Sequence, residues 1–188
     1  MQAINRNVIK VVGLAALLLL ASVALAQNKR ETFGATAVGE GTYFGKTFNV
    51  TIIIESYSTA EDQQALLEAF NLGGNRGVVN ALSKMTAKGR IAITGTLGYD
   101  VNYVRVFQTP TGRKIRMVTD RPIRFGEAWT DSRSQDYNLS ALELDISSDK
   151  NQSGGTLLPA CEFSVSKEKE LTIEVYANPW KLTDIIVW

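Results

Sequence analysis

Apolar and polar positions along the chain fall into one continuous apolar run followed by a series of short alternating ones. The continuous run is Val11 to Ala21, diluted only by Gly13, and it ends through Ser22 and Val23 in Ala24-Leu25-Ala26 before the polar stretch Gln27-Asn28-Lys29-Arg30-Glu31. Residues 27–45 are polar and glycine-rich and predict a loose entry or a short strand. Phe48 to Tyr57 is dense in β-branched residues and predicts a buried strand. The period then changes. Ser58-Thr59-Ala60-Glu61 matches a capping box, Leu66, Leu67 and Phe70 recur at helical spacing, and Gly73-Gly74 stops that helix. Val78, Val79, Leu82 and Met85 mark a second short helix ending near Gly89, so residues 59–88 predict a helical hairpin inserted between strands.

From Arg90 onward the pattern is β. Arg90 to Thr94 is a short strand, and Tyr99 to Gln108 and Arg113 to Thr119 flank the hairpin turn Thr109-Pro110-Thr111-Gly112. On the first of these two, Tyr99, Val101, Tyr103 and Phe107 share a face; on the second, Ile115 and Met117 do, with Lys114 and Arg116 opposite. Leu139 to Ser147 places Leu142, Leu144 and Ile146 inward and Glu143 and Asp145 outward. Turn-rich Ser148 to Gly155 precedes Thr156 to Val165, Lys167-Glu168-Lys169-Glu170 turns the chain into Leu171 to Tyr176, and Trp180 to Trp188 closes it. The expected fold is mainly β, of the α+β kind: an antiparallel β-barrel or sandwich of about seven or eight strands with the helical hairpin inserted.

Composition changes the picture at the amino terminus first. Arg6 and Lys10 precede the apolar run, no acid does, and small residues stand at the −3 and −1 positions before Gln27, the pattern of a secretory signal peptide cleaved after Ala26. The uncharged stretch Val11 to Ala26 has 16 residues, fewer than the roughly 18–20 a spanning helix needs. No cysteine stands directly after the run, so no lipoprotein anchor is expected. Residues 27–188 then form a single β-rich domain. Two of the 20 basic residues and none of the 19 acidic ones lie in the leader, so the remaining 162 residues carry a net charge near −1. Nothing in that balance favours nucleic acid or an anionic membrane. An exported protein, periplasmic or extracellular, is expected, without a stable membrane anchor once the signal is removed.

The absence of histidine, with a single cysteine, excludes serine–histidine and cysteine–histidine nucleophiles, histidine-based zinc sites and intramolecular disulfides. No cofactor and no metal site are expected; the run Asp131 to Asp136 lacks the alternating oxygen ligands of an EF-hand. Gly73-Gly74-Asn75-Arg76-Gly77 follows a helix and has no lysine, so it reads as a turn between helices and not as a phosphate loop. Alternation from Thr156 to Phe163 places Cys161 with Leu157 and Phe163 on one strand face, as a buried and inert thiol.

One stretch breaks the alternation. Residues 119–137 are too polar for a strand core and too aromatic for an idle loop, with Asp120, Glu127, Asp131 and Asp136 among Arg121, Arg124 and Arg133, and with Phe125, Trp129 and Tyr137 between them. Guanidinium forks, carboxylates and aromatic faces suit recognition of a polar ligand such as a sugar or a carboxylate, and Asp120, Arg121, Arg124, Glu127, Trp129, Arg133, Asp136 and Tyr137 are the candidate binding residues. The competing expectation is a network of internal ion pairs that orders a long connection. Thr119-Asp120-Arg121-Pro122-Ile123, Phe125-Gly126-Glu127 and Ser132-Arg133-Ser134-Gln135-Asp136-Tyr137, with Phe33 to Gly39, Gly98-Tyr99-Asp100 and Gly155 to Ala160, resemble an uncharacterised family of exported bacterial proteins. The resemblance implies export and a shared fold and brings no activity.

Two function classes remain. The first is a non-catalytic domain that binds a small polar or apolar ligand or a partner surface. The second is a carboxylate-dependent glycan hydrolase, which needs two carboxyl groups across a sugar cleft and no histidine; Glu127 with Asp131, or Asp120 with Glu127, are the pairs available. A structural envelope component would instead show an exposed apolar patch or edge, for which Asp184 to Trp188 is the place.

Overall fold

Residues that alternate apolar and polar build strands with one wet face and one dry face, and here the dry faces close into a ring. The computed structural model describes residues 30–123, 138–149, 152–165, 171–175 and 178–188. Among them the backbone forms β1 (Glu31–Gly39), β2 (Thr47–Ile54), a helix α1 (Ala60–Leu82), β3 (Gly89–Ile93), β4 (Tyr99–Val101), β5 (Tyr103–Thr109), β6 (Gly112–Thr119), β7 (Leu139–Ser147), β8 (Gly154–Val165), β9 (Leu171–Val175) and β10 (Trp180–Val187). Neighbours pair antiparallel in the order β4-β3-β2-β1-β10-β8-β7-β6-β5, with β9 also on β8. At Cys161, β8 has Leu139 of β7 on one side and Val175 of β9 on the other. β9 and β10 therefore run along the same edge of β8.

The two ends of that order, β4 and β5, are consecutive in the chain and separated only by Asn102. Val101 still pairs with Gly89 of β3, the Asn102 N–H already donates to the Val118 carbonyl of β6, and Tyr103 pairs with Val118. One bent strand thus serves both edges. Beyond the bend, the Ser58 N–H donates to the Val104 carbonyl and the Ser58 hydroxyl accepts from the Val104 N–H. The result is a nearly closed antiparallel β-barrel, which decides between the two expected architectures.

The barrel interior is filled. Phe33, Ile52, Ile54, Ile91, Ile115, Met117, Leu142, Leu144 and Trp180 are among its fully buried side chains. That is what a ring of about eight strands allows, because its interior is just wide enough for side chains to meet. One end is closed by Trp180, stacked on Tyr43 at 5.4 Å between ring centroids and against Phe48 at 4.7 Å, and by Ile123, which is 1% exposed. Tyr43 reaches it from a 3₁₀ turn, Gly41–Tyr43, that packs onto Gly39 so tightly that a Cβ there would lie 2.3 Å from the Tyr43 carbonyl.

A second apolar layer lies outside the ring. Leu66, Val78 and Leu82 of α1 are fully buried on a patch formed by Tyr103, Val118, Leu139, Ala141, Leu158, Cys161 and Phe163. The cap of α1 is Thr59, one residue after the start of the expected box. Its hydroxyl accepts from Asp62 N–H, and the Asp62 carboxylate accepts from Thr59 N–H. Gly73 and Gly74 leave helical geometry and bend α1. A Cβ on Gly77 would lie 2.1 Å from the Ala69 carbonyl oxygen, whereas eight residues of straight helix span about 12 Å. The two arms fold back as a hairpin, and the second ends at Leu82, short of Gly89. At the bend the Asn75 amide donates to the Phe163 carbonyl (3.0 Å) and accepts from the Phe163 N–H (2.6 Å), tying α1 to β8 as a strand would.

Three breaks in strand parity separate the structure from simple alternation. The stretch 27–45, expected as a loose entry or a short strand, holds the nine-residue β1. The face expected to hold Tyr99, Val101, Tyr103 and Phe107 switches at Asn102: Tyr99 and Val101 face the barrel interior, and Tyr103 faces α1. A register shift opposite Leu139 and Ala141 puts Leu157 inside while Cys161 and Phe163 lie under the helix, so those three do not share a face. A third shift, between Gly34 and Thr36, leaves Asp184 at φ 53°, a left-handed conformation that Asp tolerates better than most residues.

Ile123→Ala should lower unfolding stability by about 2–4 kcal/mol in urea melts, as expected for a fully buried aliphatic residue, while Leu72→Ala, 90% exposed, should change it by less than about 0.5 kcal/mol. Equal effects would mean that Ile123 does not close the barrel end.

Candidate functional site

Of the eight candidate binding residues, Asp120 and Arg121 lie among the described residues; Arg124, Glu127, Trp129, Arg133, Asp136 and Tyr137 lie outside them. Asp120 and Arg121 pair with each other, Nε to Oδ1 at 2.9 Å, with the Arg121 side chain 61% exposed. The hydrogen bond to Asp120 raises the Arg121 pKa above its ordinary value. The start of this segment is fixed by a buried polar knot that sequence reasoning missed. Thr119 Oγ1 donates to the Arg121 carbonyl at 2.5 Å and accepts from Ser140 N–H at 3.2 Å. Ser140 Oγ donates to the Pro159 carbonyl at 2.6 Å and accepts from Ile123 N–H at 2.5 Å. Thr119 and Ser140 are both 0% exposed. A hydroxyl flanked by Leu139 and Ala141 in an apolar strand was the available signal, because a buried hydroxyl needs a partner.

The opposite barrel end carries a second cluster, contributed by residues far apart in sequence. Glu31 begins β1 on the parity of inward Phe33, Arg113 is the second residue of β6 on the parity of Ile115, and Tyr57 follows β2. The Arg113 guanidinium grips Glu31 with both terminal nitrogens, Nη1 reaching Oε1 at 3.0 Å and Nη2 reaching Oε2. The Tyr57 hydroxyl donates to Glu31 Oε1 at 2.6 Å. Side-chain exposure is 30% for Arg113 and 15% for Glu31, so water screens this pair only partly. Burial, then the Glu31 hydrogen bond, pushes the Tyr57 hydroxyl well above the ordinary phenol range, and the same bond raises Arg113. Tyr57 stays a donor and Arg113 a cation at any physiological pH.

Arg113 also borders a small open cleft with Thr109, Thr111, Asp145, Ser147 and Gln152. Its volume of about 90 Å³ is well below the roughly 300 Å³ of pockets that enclose drug-sized ligands. Asp145 at its edge pairs with Lys114 at 3.3 Å. Three carboxylates at or near the barrel ends are held by a cation, Glu31 by Arg113, Asp145 by Lys114 and Asp120 by Arg121. Among the described residues no group of three or more His, Cys, Asp or Glu is placed to hold a metal ion, and no helix is long and apolar enough to cross a membrane.

Cys161 lies under α1 with 1% exposure. Burial, with a smaller contribution from Glu162, pushes its thiol up to about 12, so it is neither nucleophile nor ready ligand.

Two outcomes follow from these clusters. In a double-mutant cycle of Glu31→Gln and Arg113→Met, unfolding free energies should show a coupling of about 1–2 kcal/mol, between the values for exposed and buried pairs; additivity would remove the cross-barrel clamp. The Cys161 thiol keeps its proton in the folded state above the pH where the unfolded thiol loses it. Stability is therefore full below about pH 9 and falls as pH rises toward 12, by at most about 1.4 kcal/mol per pH unit. Cys161→Ala should flatten the fall between pH 9 and 10, below the ordinary phenol range; an unchanged slope would refute burial of the thiol. No protein-family model, curated protein or solved structure matches the chain.

Proposed function

We propose that this chain is an exported bacterial β-barrel protein that has no catalytic activity and binds a small ligand or a partner at its surface. The observation that carries this reading is the pairing of Glu31, Asp120 and Asp145 with arginine or lysine at the openings of a barrel whose interior is already filled. A glycan hydrolase needs one carboxyl with a raised pKa facing a second across a cleft. A carboxylate whose oxygens are engaged by an arginine or lysine is not free to face a leaving group across a cleft. A filled interior, in turn, places any ligand on the rim or the outer face. Export is supported by the leader pattern of residues 1–26 and by the resemblance to exported bacterial proteins.

A structural envelope role is the second reading, favoured by Ile186 (54% exposed) and Trp188 (68% exposed). They end a strand that, among the described residues, pairs with β8 only from Trp180 to Leu182.

Expression of the full-length chain in a Gram-negative host tests the first reading. The protein should be recovered outside the cytoplasm beginning at Gln27, and NMR titration with mono- and oligosaccharides and small carboxylic acids should show saturable shifts without release of reducing sugar. Retention of Met1 in the cytoplasm would overturn export. Turnover of a glycan would overturn the non-catalytic role.

A further inference from the structure

The outer face of β5, β6 and β7 is divided in two. Tyr103, Val118 and Ala141 form the row beneath α1. The next outward row, two residues along each strand, is Arg105 opposite Arg116 opposite Glu143, and the row after it is Phe107 opposite Lys114 opposite Asp145. Two arginines therefore stand directly across from one another on neighbouring strands, an arrangement that is destabilising by itself. Both guanidiniums lie over the same ring, Arg105 at 5.2 Å and Arg116 at 5.5 Å from the Phe107 centroid.

The charges around them do not balance. Glu143 accepts from Arg116 at 2.6 Å and is shared with Lys114 at 3.5 Å, and Lys114 also reaches Asp145 at 3.3 Å. Asp62, the acid on the nearby start of α1, is engaged by Lys88 at 3.3 Å. Arg105 touches the Phe107 ring and the Tyr103 side chain, and no carboxylate pairs with it among the described residues. The patch thus sets three cations against two carboxylates. It is also reachable, since the Arg116 and Lys114 side chains are 26% and 35% exposed.

From this we infer that Arg105 and Arg116, oriented on Phe107, form a binding site for an oxyanion group of a small ligand: a carboxylate, phosphate or sulfate. Arg116 is already engaged by Glu143 through Nε and Nη2, whereas Arg105 has no carboxylate among the described residues; contact with the ring holds both guanidiniums near one another, so little side-chain entropy is lost when an oxyanion is bound between them. An anion between the two arginines also removes their mutual repulsion. This rests on the binding reading above and specifies the chemistry of the ligand and where it sits.

Thermal unfolding of the protein in sodium chloride, phosphate, sulfate and glucuronate at matched ionic strength tests the site, with Arg105→Gln and Phe107→Leu as variants. In chloride, Arg105→Gln should be at least as stable as the parent chain, because a like-charge contact is gone. Millimolar phosphate, sulfate or glucuronate should raise the melting temperature of the parent chain more than that of either variant, and fitted affinity should fall about tenfold or more in Arg105→Gln. A response to glucuronate above that to phosphate would identify a sugar-borne carboxylate as the source, and the reverse order a free or esterified phosphate. Equal responses of parent and Arg105→Gln to every anion would overturn the site. So would a lower stability of Arg105→Gln in chloride, which would make Arg105 a structural residue. Saccharide binding that persists in Arg105→Gln would leave the binding role standing and remove only this location.

Discussion

A strand can donate and accept along two edges, and this barrel depends on one strand that changes partners halfway. Tyr99 to Val101 completes the sheet begun by β1, β2 and β3, and Tyr103 to Thr109 begins the sheet of β6, β7 and β8. Asn102 is the residue at the change. Its backbone N–H is already committed to β6, and its side-chain amide donates to the Met85 carbonyl at 3.3 Å, where the chain leaves α1. With Asn102 only 6% exposed, an unmade bond there would cost about 1–3 kcal/mol. The end of the helical hairpin and the closure of the ring are held by the same residue, one through its side chain and the other through its backbone N–H. Parity reverses at this point too, which turns Tyr103 outward and creates the apolar surface that α1 covers.

This explains what could and could not be read from the sequence. The helical hairpin was legible because period, cap and Gly73-Gly74 are all local, and the half-buried strand Leu139 to Ser147 was legible because it keeps strict alternation. Faces were misassigned where one residue breaks the count: at Asn102, and between Leu158 and Cys161. A register shift inverts every later side chain, and no local signal marks it. The Glu31–Arg113 clamp was invisible for a different reason. Its partners are 82 residues apart and meet only because the ring places β1 and β6 across from one another. Of the candidate segment, Asp120 and Arg121 pair with each other, and Thr119 and Ile123 hold its start against the barrel end.

The two ends of the barrel use different chemistry to the same effect. At one end Trp180, Tyr43, Phe48 and Ile123 close the interior with apolar surface, and at the other Glu31, Tyr57 and Arg113 close it with a charged clamp. A buried ion pair replaced by apolar residues is often neutral or stabilising, so the clamp is not explained by stability alone. Its bidentate geometry fixes β1 against β6 across the lumen and keeps a polar rim where Arg113 meets the cleft beside Asp145 and Gln152.

The outer face of the sheet is where the proposed oxyanion site lies. Helix α1 protects one row of β5, β6 and β7 and stops; the rows beyond it carry side chains that a purely structural face would not combine. Arg116 is already paired with Glu143, and a carboxylate at position 105 would extend that row as alternating charge in exchange for the contacts of Arg105 with Phe107 and Tyr103. Instead the row holds two cations side by side, with an aromatic ring to orient both. Like charges opposite one another on neighbouring strands raise the energy of the free protein, and an oxyanion is a group that would lower it again. The filled interior, the pairing of Glu31, Asp120 and Asp145 with cations, and the excess of cations around Arg105 are the observations on which the proposed outer-face site rests.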